Sequence, residues 1–386
     1  MSPEVRRALI AVFVARTGAN GGLRIVYPFL PAIARGLGVP IGALASLVAL
    51  RNLGGVTTPI VARAAEAWGR RRLMLAAMMS ITVGCALSAG ASSLMIAGVG
   101  IVLVGIAKPT FDVSMQSWFS DRVPYQERGR VFGITELTWS VALLATVPLS
   151  GLLIELTSWR APFVLTAIFA AIGTVAIFLG ISSDVPHHHV ARPLEMTGPR
   201  ARMLASVLLW SAAAEIPFIV YGRWLEEVFG LSVTGIGLFT VVVVVAELAG
   251  EGLVVATADR LGLKLMIYSG LAVSILAYLS FAAVGASLAL ALCVVSLWIV
   301  AFEVTIVATI PFVSELAVES RDRLLSLLSV AIALGRGGGA VVALALYESG
   351  GMTLAGLSSA GLAVLSGLLI VRIEDPQSRE PSVSTK

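Results

Sequence analysis

Several of the longest apolar stretches of this sequence carry ionisable side chains, and these are the residues that could do chemistry. An ionised side chain at the centre of a membrane helix costs at least about 2.5 kcal/mol, so each such residue either has a function or pairs to hold helices together. A carboxyl group withdrawn from water binds a proton more readily, whereas arginine and lysine attract anions. The eleven such residues are Arg16, Arg24, Arg51, Lys108, Asp112, Glu136, Glu215, Glu247, Glu251, Glu303 and Arg336.

The spacing of these residues predicts shared helix faces. Arg16, Asn20 and Arg24 are four residues apart, so a helix would carry them as one stripe. The same spacing lets Lys108 and Asp112 pair within one helix, which is a purely structural alternative. The set as a whole favours a functional cavity. The candidates for lining it and binding a substrate are Arg16, Asn20, Arg24, Tyr27, Arg51, Lys108, Gln116, Trp139, Tyr221, Trp298 and Arg336.

Five acids are the candidates for taking up and releasing a coupling proton. Basic neighbours weaken proton binding by a carboxyl group, so the sequence does not single out one of them. Glu251 is set apart because it falls near the end of its apolar stretch. The five are Asp112, Glu136, Glu215, Glu247 and Glu303.

The composition is that of a membrane protein. The 386 residues are 58% hydrophobic and 13% charged, whereas a soluble domain is roughly 25% charged. Apolar runs of about 20 residues that do not alternate in polarity predict transmembrane helices. Twelve spans are predicted, at 8–33, 40–64, 73–92, 95–119, 131–155, 161–181, 203–225, 232–256, 265–284, 287–312, 324–347 and 352–372.

A polar segment at 182–202 divides the chain near its middle and contains three prolines and all three histidines. We predict a six-helix bundle at 1–181, this cytoplasmic linker, a second six-helix bundle at 203–373 and a cytoplasmic tail at 374–386. The histidine run could bind a metal, but a solvated linker is the favoured interpretation, and no metal site is predicted.

The distribution of basic residues predicts the topology. With the N-terminus in the cytoplasm, nineteen Lys and Arg residues fall in cytoplasmic segments, and only Arg35, Arg160 and Arg223 fall in external loops. This asymmetry predicts an even number of spans and cytoplasmic termini. Abundant Ala, Val and Arg with only three Lys favours a bacterium, so we expect a multi-pass protein of the bacterial inner membrane.

A shared offset indicates that the two halves are homologous. Glu66 and Asp259 are 193 residues apart, and so are Gly69 and Gly262. The segments QERGRVFG and ESRDRLLS keep the same offset between their arginines. Several matches at one offset predict an internal repeat of six helices.

The third, sixth, ninth and twelfth spans contain no charge apart from Arg372 at the last position of the twelfth, which predicts that they face lipid while the other eight surround water. The fold class predicted is an all-α integral membrane protein with twelve helices in two pseudo-symmetric six-helix bundles.

The spans of the first half contain four bases and two acids, and those of the second half contain one base and four acids. The electrostatic field of this uneven charge distribution could bind a zwitterionic or amphipathic solute. Alternatively, the charges could pair across the cavity and separate when it opens, as a charge gate. The glycine runs at 18–22 and 335–339 predict either helix bends or close helix packing.

At this point the sequence resembles the major facilitator superfamily, and most closely its twelve-helix drug/proton antiporter-type branch. The loop VATADRLGLK keeps Asp259, Arg260, Gly262 and Lys264 of the motif G-x-x-x-D-R-x-G-x-K/R, with Val255 at the first glycine. The loop ARAAEAWGRR is a weaker copy. YPFLPAIARGLGVP, DRVPYQERGRVFG and SWRAPF are also similar to family segments. The proline-glycine antiporter signature is not clear in LLATVPLSGLL, so the direction of transport stays open.

The resemblance implies a role for the two loops. In this family the loop acid bridges the two bundles on the cytoplasmic side and stabilises the outward-facing state. Here Glu66 would meet the start of span 11 near Arg321 to Arg323, and Asp259 would meet the start of span 5 near Arg128 to Arg130. The residues implied in this cytoplasmic latch are Glu66, Gly69, Arg71, Arg72, Arg128, Asp259, Arg260, Gly262, Lys264 and Arg321.

We therefore expect a secondary transporter that moves a small organic solute by alternating access, with proton-coupled efflux favoured. Proton-coupled uptake is the alternative within transport, and a membrane receptor or channel is the alternative of another class. The chain should act as a monomer in the lipid bilayer, without nucleic acid and without a cofactor, and the proton gradient should supply the energy. No spanning segment offers a catalytic set, so an enzyme is not expected.

Overall fold

The computed structural model describes residues 2–182 and 194–373, apart from the side chains at positions 66, 125, 126, 128–130, 259, 318 and 322. Within these ranges the chain forms helices and no strand. The first eight α-helices are α1 (Pro3–Arg24), α2 (Leu30–Leu37), α3 (Ile41–Asn52), α4 (Thr58–Trp68), α5 (Arg70–Ala89), α6 (Leu94–Arg122), α7 (Tyr125–Leu156) and α8 (Ala161–Gly180). Five follow: α9 (Gly198–Phe229), α10 (Val233–Leu261), α11 (Leu263–Ser280), α12 (Leu288–Glu315) and α13 (Arg321–Val371).

Ten stretches of the described residues are long and apolar enough to cross a membrane. The charged helix α1 is not among them, and α13 is counted once although it contains two predicted spans. Gly350 and Gly351 interrupt α13 between those spans, and Gly351 has a φ of 62°. Because this left-handed backbone suits glycine, the chain can turn there without a long loop. With α1 and both parts of α13, the helices confirm the predicted all-α fold with twelve spans.

The first two predicted spans are interrupted helices. The helix α1 ends at Arg24, and the turns at Ile25–Phe29 precede α2, whose Pro31 stands in its first turn. Proline has no N–H and fixes φ, so it favours a helix start at this position. Span 2 changes from α-helix to 3₁₀-helix over Leu53–Thr57 before α4 begins. The glycine run at 18–22 lies inside α1, so the break follows that run instead of falling within it.

Packing divides the chain into two compact units. The first contains Met1–His189 together with Tyr221–Val244, and the second contains Val190–Val220 together with Val245–Lys386. The end of α9, the start of α10 and the turn between them therefore pack with the first-half helices. The division of the chain at 182–202 stays a prediction.

Apolar packing explains the positions of the helices in the first unit. The interior lies between α1, α5, α6 and α8, where Met78, Phe111 and Trp118 are fully buried. Helix α8 has no charged residue and exposes a row of large apolar side chains, which suits contact with lipid. These side chains are Val164, Ile168, Phe169, Ile172, Val175, Phe178 and Leu179.

The second glycine run is a site of close helix packing. A Cβ atom on Gly339 would lie 2.5 Å from the carbonyl oxygen of Ala212 and 3.0 Å from the Cβ of Glu215, both on α9. A Cβ on Gly338 would meet nothing within 4 Å. Helix α13 continues through the run without non-helical dihedrals. Close packing is therefore the role of Gly339.

The two neighbouring glycines give a matched test of this packing. We expect Gly339→Ala to destabilise the protein by about 1–3 kcal/mol because the methyl group overpacks the contact with α9. Gly338→Ala should be neutral or stabilising, since alanine favours a helix by about 1 kcal/mol over glycine. Thermal unfolding of the detergent-solubilised protein measures both, and equal transition temperatures would contradict the assignment.

Candidate functional site

Arg16 on α1 lies between two carboxylates from neighbouring helices. Its Nε donates to Oδ1 of Asp112 at 3.1 Å, and its Nη1 lies 2.9 Å from Oε1 of Glu136. Nη1 also donates to the carbonyl oxygen of Thr135 at 2.6 Å. Lys108 forms an ion pair with Asp112 one turn along α6, as the spacing predicted. The Arg16 cluster, which is Arg16, Lys108, Asp112 and Glu136, thus joins charges from α1, α6 and α7.

The cluster is dry at one end and open at the other. The side chain of Arg16 is 3% exposed, whereas that of Asp112 is 21% exposed and that of Glu136 is 45% exposed. Removing one partner from a buried ion pair is costly, which explains why Arg16 is held by two acids and a carbonyl. Contact with lipid would leave the open part of Glu136 without solvation, so this part must face water.

The predicted stripe of residues on α1 packs along α7 at this site. Asn20 donates from Nδ2 to Oγ1 of Thr138 at 3.2 Å. One turn later, the guanidinium carbon of Arg24 lies 4.9 Å from the centre of the Trp139 ring. The structure therefore brings the stripe together with Trp139. On α6, Gln116 is exposed one turn beyond Asp112.

Arg51 stabilises the interruption of span 1. Its Nη1 donates to the carbonyl oxygen of Leu23 at 2.8 Å, and its guanidinium lies 4.7 Å from the centre of the Tyr27 ring. The hydroxyl of Tyr27 donates to Oδ1 of Asn52 at 3.2 Å. A cation at the C-terminal end of a helix is favoured by the helix dipole and satisfies a carbonyl group there. These two predicted cavity residues thus connect the end of α1 to α3.

The second unit contains a buried ion pair between α9 and α13. Arg336 donates from Nε to Oε2 of Glu215 at 2.7 Å, and Glu215 is fully buried. The guanidinium lies 6.0 Å from the ring centre of Phe218, which packs on Trp298 at 4.5 Å between ring centres. Trp298 donates to the hydroxyl of Tyr278 at 3.1 Å and is 1% exposed. Trp298 is therefore part of an aromatic core beneath the ion pair.

Helices α10 and α12 cross closely elsewhere in the second unit. A Cβ on Gly250 would lie 2.7 Å from the Cβ of Glu303, so the two helices cross closely at this point. Glu247 is one turn before Gly250 on α10 and therefore lies beside this crossing. Glu247 is 2% exposed and Glu303 is 8% exposed. The sequence predicted both residues but not their common crossing.

The two loop motifs have the same backbone conformation at their glycines. Gly69 has φ 88° and ψ 140°, and Gly262 has φ 81° and ψ 148°. Each ends one helix and begins the next. Side chains with a Cβ strongly disfavour this region of φ and ψ, so both loops require glycine. The match at the 193-residue offset is independent support for the repeat.

The predicted latch itself lies partly outside the described side chains, which do not include those of Glu66, Arg128 and Asp259. Arg71 donates to the carbonyl oxygen of Phe178 at 2.7 Å. Arg321 donates to Oε1 of Glu315 at 3.1 Å. Arg72 and Arg260 are exposed, and Lys264 lies 5.9 Å from the ring centre of Tyr268. The latch stays a prediction.

Sequence reasoning missed a group of contacts in the first unit, at the end that the predicted topology places outside the cell. Arg35 on α2 lies 2.8 Å from Glu226 on α9. The backbone N–H of Thr234, in the first turn of α10, donates to Oε2 of Glu155 on α7 at 3.1 Å. A carboxylate is favoured at a helix start by the dipole. Arg35 is the one indication of these contacts in the sequence, because few basic residues lie in the predicted external loops.

Glycines allow this end to pack closely. A Cβ on Gly222 would collide with the carbonyl oxygen of Pro28 in the turn after α1, and the adjacent Tyr221 is 6% exposed. A Cβ on Gly151 would lie 2.8 Å from the carbonyl oxygen of Val233. Parts of α9 and α10 are thus held directly against the turn after α1 and against α7.

A metal site does not emerge from the described side chains. Among them, no group of three His, Cys, Asp or Glu residues could hold a metal ion. The predicted linker histidines at 187–189 lie outside the described residues. The functional groups that these described side chains provide are ion pairs, carboxyl groups and aromatic ring faces.

The twelve spans and their internal charged clusters define a multi-pass helical membrane transporter. The sequence matches the Major Facilitator Superfamily over residues 8–222 and again over 202–386. The chain therefore belongs to this superfamily, as its motifs indicated. The double match agrees with the six-helix repeat.

Relatives of the chain include exporters and proteins of unknown substrate. It is 25% identical over 297 residues to the class C tetracycline resistance protein of Escherichia coli, and the aligned region covers 71% of this chain and 73% of that protein. It is 24% identical over 364 residues to YwfA, an uncharacterized MFS-type transporter of Bacillus subtilis, and the aligned region covers 90% of this chain and 87% of that protein. A solved D-xylose-proton symporter matches with a TM-score of 0.77 at 14% identity over 97% of this chain and 99% of that one. This last likeness concerns the fold alone.

The pair Glu215–Arg336 predicts an asymmetric response to mutation. Arg336→Gln leaves a fully buried carboxylate without its cation and should destabilise the protein by about 3–5 kcal/mol. Glu215→Gln should cost less, because the Arg336 side chain is 28% exposed and can remain solvated. The double variant should recover much of the loss. Thermal unfolding in detergent gives all three values, and additive losses would show that the pair is not coupled.

Proposed function

We propose that the protein exports an amphipathic or zwitterionic organic solute in exchange for protons, by alternating access of two six-helix bundles. The observation that carries this proposal is the crossing of α10 and α12, where Glu247 and Glu303 are buried in an acid-rich unit. The similarity to tetracycline resistance proteins favours export. The protein would act as a monomer in a bacterial inner membrane, with both termini in the cytoplasm and no bound cofactor.

Charge balance favours Glu247 and Glu303 as the proton carriers. The spans of the second half contain four acids and one base, and that base, Arg336, is bound to Glu215. Carboxyl groups buried beside one helix crossing would be candidates for taking up and releasing a proton. A cationic group on the solute would compete with that proton. Competition of this kind is the condition for exchange.

The acids of the first unit are less suited to carry the proton. Asp112 contacts both Arg16 and Lys108, and Glu136 contacts Arg16. These contacts give Asp112 and Glu136 the role of holding Arg16 in place.

Alternating access would require the contacts missed by sequence reasoning to open and close. Arg35–Glu226 and Glu155–Thr234 hold the start of α10 and the end of α9 against first-half helices. Surface ion pairs such as Arg35–Glu226 contribute roughly 0–1 kcal/mol, so they can separate in each transport cycle. The predicted cytoplasmic latch would close when these contacts open.

Proteoliposomes with an imposed pH gradient test the proposal. With tetracycline and a panel of zwitterionic, cationic and anionic amphiphiles, we expect at least one solute to drive proton flux in the opposite direction. Glu247→Gln and Glu303→Gln should each abolish this flux while solute exchange without a gradient persists, because a glutamine amide can neither take up nor release the coupling proton.

Glu251→Gln is the matched control, because Glu251 lies on α10 one turn beyond Glu247. It should retain coupled flux. Solute and protons that move in the same direction would instead establish uptake by symport. Full coupling in both the Glu247 and Glu303 variants would remove these acids from the mechanism.

A further inference from the structure

The start of α9 and the end of α13 meet at one end of the second unit. Near this end the hydroxyl groups of Ser206 and Ser366 lie 2.8 Å apart, and both residues are fully buried. At the end itself, Nη1 of Arg202 donates to the carbonyl oxygen of Arg372 at 3.4 Å. The guanidinium group of Arg202 is thereby placed beside the backbone that carries the side chain of Arg372.

Two positive charges therefore belong to this junction of α9 and α13. Arg202 is partly exposed and Arg372 is exposed, and neither forms an ion pair with a described side chain. The carbonyl oxygen that Arg202 contacts carries only the partial negative charge of a helix end. Positive charge that is not balanced by a nearby acid attracts an anion.

The surface next to these arginines is apolar and suits contact with lipid. The part of α13 that follows Gly351 exposes a row of large apolar side chains, and Val371, the last of them, directly precedes Arg372. The two arginines thus lie at the edge of this apolar surface, where phospholipid headgroups begin. The predicted topology places this end on the cytoplasmic side, where basic pockets between spans bind anionic headgroups. The exposed row is Leu357, Val364, Leu365, Leu368 and Val371.

We propose that Arg202 and Arg372 bind the phosphate group of an anionic phospholipid, whose acyl chains lie along the exposed row on α13. Guanidinium groups suit this ligand because their N–H groups match two phosphate oxygens at once. The bound lipid neutralises both cations and joins the end of α13 to the start of α9. This site is separate from the acids at the crossing of α10 and α12, and it does not depend on the direction of transport.

Native mass spectrometry of the full chain, released from detergent, tests the site with dioleoyl phosphatidylglycerol and dioleoyl phosphatidylcholine. The two lipids have the same acyl chains and differ in net charge. Each basic residue near a headgroup favours an anionic lipid about fivefold, so we expect phosphatidylglycerol to bind the wild type about twentyfold more tightly. Arg372→Gln should weaken phosphatidylglycerol about fivefold and leave phosphatidylcholine unchanged. The double variant Arg202→Gln/Arg372→Gln should bind both lipids equally.

Arg200→Gln is the matched control, because Arg200 is on the same helix but donates to the carbonyl oxygens of Leu316 and Glu195. It should keep the preference of the wild type for phosphatidylglycerol. A loss equal to that of Arg372→Gln would reduce the effect to net charge and overturn the proposal. Equal binding of the two lipids by the wild type, or a full preference in the folded double variant, would also overturn it.

The carboxylates of the tail are the rival partners of these arginines. Glu374 and Asp375 follow Arg372 closely in the sequence and lie outside the described residues. If the lipid occupies the site, Glu374→Gln/Asp375→Asn should leave the preference for phosphatidylglycerol in place. A rise in phosphatidylglycerol affinity in this variant, with no loss in Arg372→Gln, would assign the arginines to the tail and overturn the lipid site.

Discussion

The free-energy cost of placing ionised groups inside a membrane constrains this structure, and the Arg16 cluster offsets that cost by pairing opposite charges. Arg16 is 3% exposed and reaches two carboxylates and a backbone carbonyl on two other helices. An arginine in this position requires α1, α6 and α7 to stay in register, because loss of either acid leaves charge unbalanced in a dry place. The same demand explains why Glu215 is found with Arg336 in the second unit.

The two units satisfy this demand with opposite signs. The spans of the first half contain four bases and two acids, and those of the second half contain one base and four acids. In the proposed mechanism, this asymmetry would link solute binding to proton exchange.

Local rules predicted much of the fold and part of the site. Apolar runs predicted the spans, and the four-residue spacing of Lys108 and Asp112 predicted their ion pair, because both depend only on nearby residues. The pairing of Arg16 with Glu136 joins residues 120 positions apart and depends on how α1 packs against α7. The role of Gly339 likewise required the position of α9, since a glycine run alone is compatible with a bend or a close contact.

The central claim is that the Arg16 cluster opens to water inside the membrane. It is tested most directly by the reaction of a Glu136→Cys variant with a charged, membrane-impermeant methanethiosulfonate, in a background without Cys85 and Cys293. A matched Ile168→Cys variant on the apolar face of α8 reports contact with lipid. The account predicts fast labelling at position 136 and none at 168. Labelling of position 136 only by apolar reagents, like position 168, would contradict it.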